Sequence, residues 1–217
     1  MRWLQVTVLG LVLAGPAQSE DIIDVLRRSQ QQRLDSFTEA PQGERREAVR
    51  NAFAKLRDAL APGVSIELRV VSGGTYAETL HGSILVVNES LADLPEGERI
   101  FIMAHEIGHV VAGHWEQMGR VYRRWIPGEV TQDKTDPVAG LLGRDASGLA
   151  HRHEYAADAF AHQALVKLGW PSEVAFAAFV RQGMQHDTAT HPGTRKRIAS
   201  LRAAQAGVRP PSGEEAE

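Results

Sequence analysis

Five consecutive residues, His105-Glu106-Ile107-Gly108-His109, carry the most specific chemistry in this chain. On a helix, histidines four apart project both imidazoles from one face and can grip a single Zn²⁺. Glu106 stands one step round the same helix, placed to take a proton from a water that the metal activates. The string is short enough to arise by chance, so its setting matters. It lies inside the run Ile100 to His114 (IFIMAHEIGHVVAGH), which is apolar nearly all round. A helix of that kind is buried in the centre of a domain. Two imidazoles and a carboxylate buried there are costly unless they are paired or bind metal. The composition agrees: nine His and no Cys direct metal chemistry to imidazole and carboxylate.

A catalytic zinc takes three protein ligands and keeps one position open. His114 is one candidate for the third. The metzincin spacing, however, needs Gly three and His six residues after the second ligand, and those positions hold Ala112 and Trp115. His114 therefore reads better as a helix-end residue. The stronger candidate is Glu154, in His153-Glu154-Tyr155-Ala156-Ala157-Asp158. Glu154 and Asp158 share a helix face, so one can bind metal while the other accepts a hydrogen bond from a ligand imidazole.

HEIGH on a buried helix, EYAAD on a later one, then Thr190-His191-Pro192 with Arg197 and Ile198 beyond: together these resemble the M48 family of zinc metallopeptidases. That family is of the gluzincin type and includes soluble, exported bacterial members. The resemblance spans roughly Leu80 to Leu201. It implies one Zn²⁺ per chain held by His105, His109 and Glu154, with Glu106 as general base. It further implies that Asp158 orients a ligand histidine, that His191 lies on a loop facing the metal, and that Arg197 anchors that loop or its helix. The strand SILVVN, with Ile84, Leu85, Val86, Val87 and Asn88, is similar to the family's active-site edge strand, on which a peptide substrate is laid by strand addition. The chain departs from the family before that strand, where Thr79-Leu80-His81-Gly82 replaces the usual Asn-Ala or Gly-Gly lead-in. It also has a short, polar segment between the second and third motifs, and no tetratricopeptide repeats after residue 201.

The function this implies is zinc-dependent endopeptidase activity on exported or envelope proteins, with quality control of misassembled chains as the physiological role. The alternative is a latent or vestigial protease acting as a zinc-stabilised envelope chaperone or adaptor. His191 is open to two readings: a donor to the tetrahedral oxyanion, or a neutral imidazole occupying the open zinc position. Two further histidines, His151 and His162, fall in one stripe with Glu154 and Asp158, and read as a polar helix flank.

The elements around these residues read as α, α, β, β, β and then helices, an α+β fold. Helical periodicity covers Asp21 to Phe37 and Glu44 to Ala61. Val64 to Val71 alternates as a strand, and Gly73-Gly74 offers a hairpin turn into Thr75 to Leu80, with SILVVN third. The expectation is a small antiparallel sheet beside a buried HExxH helix in a mainly helical metallopeptidase domain. Residues 120 to about 148 read as a long loop or lid. Helices follow over Leu149–Leu168, Ser172–Gln182 with Ser172 as N-cap, and Thr194–Ala206.

The remaining counts narrow the class. At 217 residues the chain is long enough to bury a core without disulfides, and the absence of Cys excludes a disulfide scaffold or a thiol nucleophile. With 24 Lys+Arg against 27 Asp+Glu it lacks the basic excess of a nucleic-acid binder. Residues 1–19 read as a secretory signal peptide: Met1-Arg2, an apolar run from Leu4 to Gly15, then Ala17-Gln18-Ser19. That run is too short to span a bilayer. The expectation is an exported, periplasmic or secreted protein with polypeptide substrates. Its domain covers residues 20–206, and 207–217 form a disordered tail. No transmembrane helix is expected in the mature chain, which leaves room for peripheral membrane association.

Overall fold

Apolar spacing and capping residues set the first two helices. The computed structural model describes residues 20–60 and 62–206, so the expected signal peptide and the tail lie outside the described residues. Helix α1 (Ile22–Asp35) starts where the Asp21 carboxylate accepts from the backbone N–H of Ile23 at 2.8 Å. Helix α2 (Glu44–Leu60) turns Val49, Ala52, Phe53 and Leu56 inward.

Three of the four strands follow the alternation of the sequence, the two-residue β1 was not expected, and their order differs from a simple meander. They are β1 (Thr38–Glu39), β2 (Glu67–Ser72), β3 (Ala77–Leu80) and β4 (Ile84–Asn88), and their order in the sheet is β1-β2-β4-β3. Strand β4 runs parallel to β2, with Glu67 opposite Ile84 and Val71 opposite Asn88, and antiparallel to β3, with Thr79 opposite Leu85. The sheet is therefore mixed, where an antiparallel one was expected. Gly73-Gly74 does not close a hairpin. It starts a crossing that carries the chain past a gap one strand wide, which β4 then fills. Asn88 pins this crossing by donating from Nδ2 to the Gly73 carbonyl at 2.8 Å. The real hairpin joins β3 to β4 through His81 and Gly82, both at positive φ (53° and 69°). Gly82 is required there, since a Cβ would lie 3.0 Å from that of Trp115.

The rest is helical: α3 (Glu96–Val111), α4 (His114–Trp125), α5 (Gln132–Thr135), α6 (Ala139–Lys167), α7 (Glu173–Gln182) and α8 (Thr194–Gln205). Helix α3 is the centre of the domain. Ile100, Phe101, Met103, Ala104 and Ile107 are all at most 2% exposed, as its nearly uninterrupted apolar character requires. It packs closely along α6 because small residues meet there: Gly108 on one side, Ala157, Ala161 and Ala164 on the other. A Cβ at Gly108 would sit 3.2 Å from the Ala157 Cα and from Phe160.

The expected loop over 120–148 is mostly helix. α4 continues to Trp125, and α6 begins at Ala139, ten residues before Leu149. Its early start is stabilised by a satellite cluster in which Val138 and Leu142 pack with Ile22, Ile23 and Ile126. Trp125 adds an Nε1–H bond to the Asp145 carboxylate at 3.0 Å. Ser172 does not cap α7 with its side chain; its hydroxyl instead meets His162 Nε2 at 3.0 Å. Among the described residues no helix is long and apolar enough to cross a membrane.

Candidate metal centre and its cleft

The crossing of α3 and α6 brings the motif residues together. His105 and His109 sit one turn apart on α3, and Glu154 faces them from α6, so that one ligand atom of each lies within 4.8 Å of the others. The two Nε2 atoms are 3.1 Å apart. Glu154 Oε2 is 3.4 Å from His105 Nε2, and Oε1 is 3.3 Å from His109 Nε2. Ligand atoms about 3.3 Å apart are what a tetrahedral ion with bonds of about 2.0–2.1 Å requires. Glu154 Oε2 is buried and accepts no hydrogen bond, an orphan acceptor in a site otherwise well satisfied. Two imidazole nitrogens and one carboxylate with an orphan oxygen fit a zinc ion.

Each imidazole is held from behind. The His105 Nδ1–H donates to Asp158 Oδ1 at 3.0 Å, and Asp158 is gripped by Arg197 through Nη2 at 2.5 Å and Nε at 2.8 Å. Arg197 Nη1 also lies 3.4 Å from Glu154 Oε2, and its guanidinium rests over the Phe179 ring at 4.9 Å. Burial opposes a charge on His105, but the carboxylates of Asp158 and Glu154 outweigh it and push the metal-free imidazole up to about 10. Burial likewise favours neutral acids, yet the neighbouring imidazoles and Arg197 hold Glu154 and Asp158 well below the usual carboxylate range. The metal-free centre thus holds a positively charged His105 between two carboxylates, and a bound metal ion would take over that balance of charge.

Behind His109 the partners are neutral. His114 Nδ1 lies 2.9 Å from His109 Nδ1, and the His114 ring stacks on His153 with centroids 3.8 Å apart. Burial, then the neighbouring imidazoles, push His114 down to about 3. Burial and the nearby His109 push His153 down to about 4.

Glu106 lines a cleft of about 600 Å³ together with the ligands His109 and Glu154 and with Thr79, Leu80, Trp115 and His191. The Thr79 hydroxyl lies 2.9 Å from Glu106 Oε2 and 3.0 Å from the Glu106 carbonyl, so its one proton has two acceptors on the same residue. Across the cleft His191, half exposed, brings Nε2 to 3.7 Å from Glu154 Oε1. Its Nδ1 is 2.9 Å from the Thr190 hydroxyl. The loop is fixed by Thr188, which receives the His191 N–H on Oγ1 at 3.0 Å and accepts the His151 Nε2–H on its carbonyl at 2.8 Å.

The sequence-derived set therefore converges, with one exception. The strand expected at the active-site edge, Ile84 to Asn88, is β4, which lies inside the sheet between β2 and β3. Its ladder is occupied on both sides, and Leu85, Val86 and Val87 are fully buried, so it has no free edge for a substrate. The outer strand is β3, and Ala77, Glu78, Thr79 and Leu80 line the cleft. Alternation identified the strand but not its neighbours. Arg197 clamps Asp158 and Glu154 and so anchors its own helix, α8, to α6, leaving the His191 loop to other contacts. His151 holds that loop instead, and His162 contacts Ser172 and Gln205, away from the ligands. Thr79 was not singled out from sequence; a lone Thr on a strand carries no signal of what it faces. His114 stands behind a ligand.

The model of peptidase family M48 matches residues 39–205. No curated protein matches the chain. Among solved structures, the crystal structure of S. mikatae Ste24p aligns over 76% of this chain and 51% of its own, at 19% identity and a TM-score of 0.46. The chain spans about half the length of that protein. The family match covers most of the chain and includes the whole ligand set: this chain belongs to peptidase family M48, as a metallopeptidase domain with a candidate zinc site of His105, His109 and Glu154.

Proposed function

We propose that the protein is a zinc-dependent endopeptidase acting on exported or envelope polypeptides. The observation that carries this reading is the convergence of three ligand atoms beside an open cleft into which Glu106 projects. When bound, zinc supplies Lewis acidity, polarising a carbonyl oxygen and making water a stronger acid. The rest falls to the protein. The Glu106 carboxylate takes the proton of the attacking water and delivers it to the leaving amine. Thr79, donating to Oε2, leaves the other carboxylate oxygen for that proton. With the Thr190 hydroxyl donating to Nδ1, His191 carries its proton on Nε2, the nitrogen that faces the cleft, and donates it to the developing oxyanion. A substrate adds as an extra strand on β3, bringing its carbonyl between Glu106 and His191.

Strand addition needs an extended backbone with unpaired N–H and C=O groups. Folded proteins hide these and misassembled ones expose them, which supports quality control of misassembled envelope proteins as the role. Export rests on the signal-like sequence of residues 1–19. The test uses the purified chain and an unfolded casein substrate. One zinc per chain by mass spectrometry, lost with activity in Glu154→Gln, is the expected result. Zinc retained in Glu154→Gln would refute the ligand set. His191→Ala should lower activity; a rise in activity would instead assign His191 to holding the enzyme latent.

A further inference from the structure

The support behind His109 is built by a break in the chain. Helix α3 ends at Val111, and Ala112 with Gly113 (φ 64°) turns the backbone so that His114 opens α4. This reversal folds His114, only 6% exposed, against the outer nitrogen of His109. The stack with His153 is nearly parallel, at 8°, and fixes the plane of the His114 ring. His153 is fixed in turn by its Nε2–H bond to Gln117 Oε1 at 3.2 Å.

Two ring nitrogens 2.9 Å apart share one proton, so one donates and the other accepts. His109 Nε2 faces Glu154 Oε1 and His105 Nε2, and it must keep its lone pair to hold a cation. The proton of a neutral His109 therefore sits on Nδ1, which leaves His114 Nδ1 as the acceptor. We propose that His114 is the positioning residue of the second metal ligand, fixing the tautomer and ring plane of His109 by accepting its Nδ1–H. In most zinc sites that place is taken by a carboxylate, a backbone carbonyl or water. Here a neutral imidazole fills it, and its own orientation depends on the His153 stack. The inference rests on reading His105, His109 and Glu154 as the metal ligands.

The test measures zinc affinity of the full chain by competition with a chelator, alongside the melting temperature of the metal-free protein. His114→Phe keeps a flat ring on His153 but removes the acceptor. It should leave the metal-free melting temperature within a few degrees of wild type and weaken zinc binding by about 10- to 100-fold. His114→Asn places Oδ1 where Nδ1 stood and should restore most of that affinity. Nitrogen-15 spectra of the zinc-loaded wild type should show His114 unprotonated at Nδ1 and protonated at Nε2, a readout that holds even if the Phe variant does not fold. Wild-type affinity in His114→Phe, equal loss in His114→Asn and His114→Phe, or a proton on His114 Nδ1 would each overturn the proposal. Glu154→Gln, measured in parallel, separates the two failures. If it keeps zinc, the ligand set is wrong; if it loses zinc while His114→Phe does not, only the role of His114 falls.

Discussion

His105 and His109 leave the same helix one turn apart and present the same nitrogen, yet what stands behind them differs in kind. Behind His105 is an ionised pair, Asp158 clamped by Arg197 and almost wholly buried. Behind His109 are two stacked neutral rings, His114 and His153. The difference follows from the cost of buried charge. In the metal-free protein Glu154 and Asp158 are balanced by Arg197 and a charged His105. A further carboxylate behind His109 would add a buried charge with no cation to balance it and burden the metal-free protein during folding. A neutral acceptor fixes the ring without adding charge. Glu106 shows a third kind of support, a single hydroxyl from Thr79 at the cleft wall.

Three substitutions rank these supports. Removing the guanidinium has the largest effect: Arg197→Met leaves two buried carboxylates without their cation and should cost about 3–5 kcal/mol in urea unfolding of the metal-free protein. A loss below about 1 kcal/mol would mean that the clamp is replaceable by solvent. Asp158→Asn comes next. It keeps the shape and an acceptor oxygen but not the charge, and zinc affinity should fall about tenfold, the lower end of what such outer partners contribute. Wild-type zinc affinity in Asp158→Asn would mean that the charge of this brace does nothing to hold the metal. Thr79→Val is the smallest. It should lower kcat several-fold with KM and zinc content unchanged, because a single neutral hydrogen bond is worth about 1 kcal/mol. Thr79→Ser should restore the rate, and a change confined to KM would place Thr79 in substrate binding instead.

How far the sequence carries this picture depends on whether a relation stays within one element. His105, Glu106 and His109 are related by helical spacing alone, and so are Glu154 and Asp158; their faces could be read directly. The close packing of Ala157 and Phe160 on Gly108 joins two helices, and nothing within either stretch announces it. Relations between segments were hidden. Alternation marks Ile84–Asn88 as a strand without saying that β2 and β3 flank it, which leaves β3 as the outer strand beside the cleft. His114 follows His109 by five residues, and helical periodicity would aim it elsewhere; the left-handed Gly113 brings it back. Gly140, Gly143 and Gly148 made the start of α6 look like loop. Its helix is held by tertiary contacts of Val138 and Leu142 with α1, which propensity does not contain. Gly108→Ala probes the helix crossing on which all of this depends: an added methyl 3.2 Å from Ala157 Cα should cost about 1–3 kcal/mol.

The proposed mechanism makes Glu106 the base and gives it no part in holding the metal. It is tested most directly by the cleavage rate of an unfolded polypeptide by zinc-loaded Glu106→Gln against wild type at equal metal content. One zinc per chain is expected in both proteins, with a rate about 10² to 10⁴ lower in the variant. Wild-type cleavage by Glu106→Gln carrying its full zinc would contradict it.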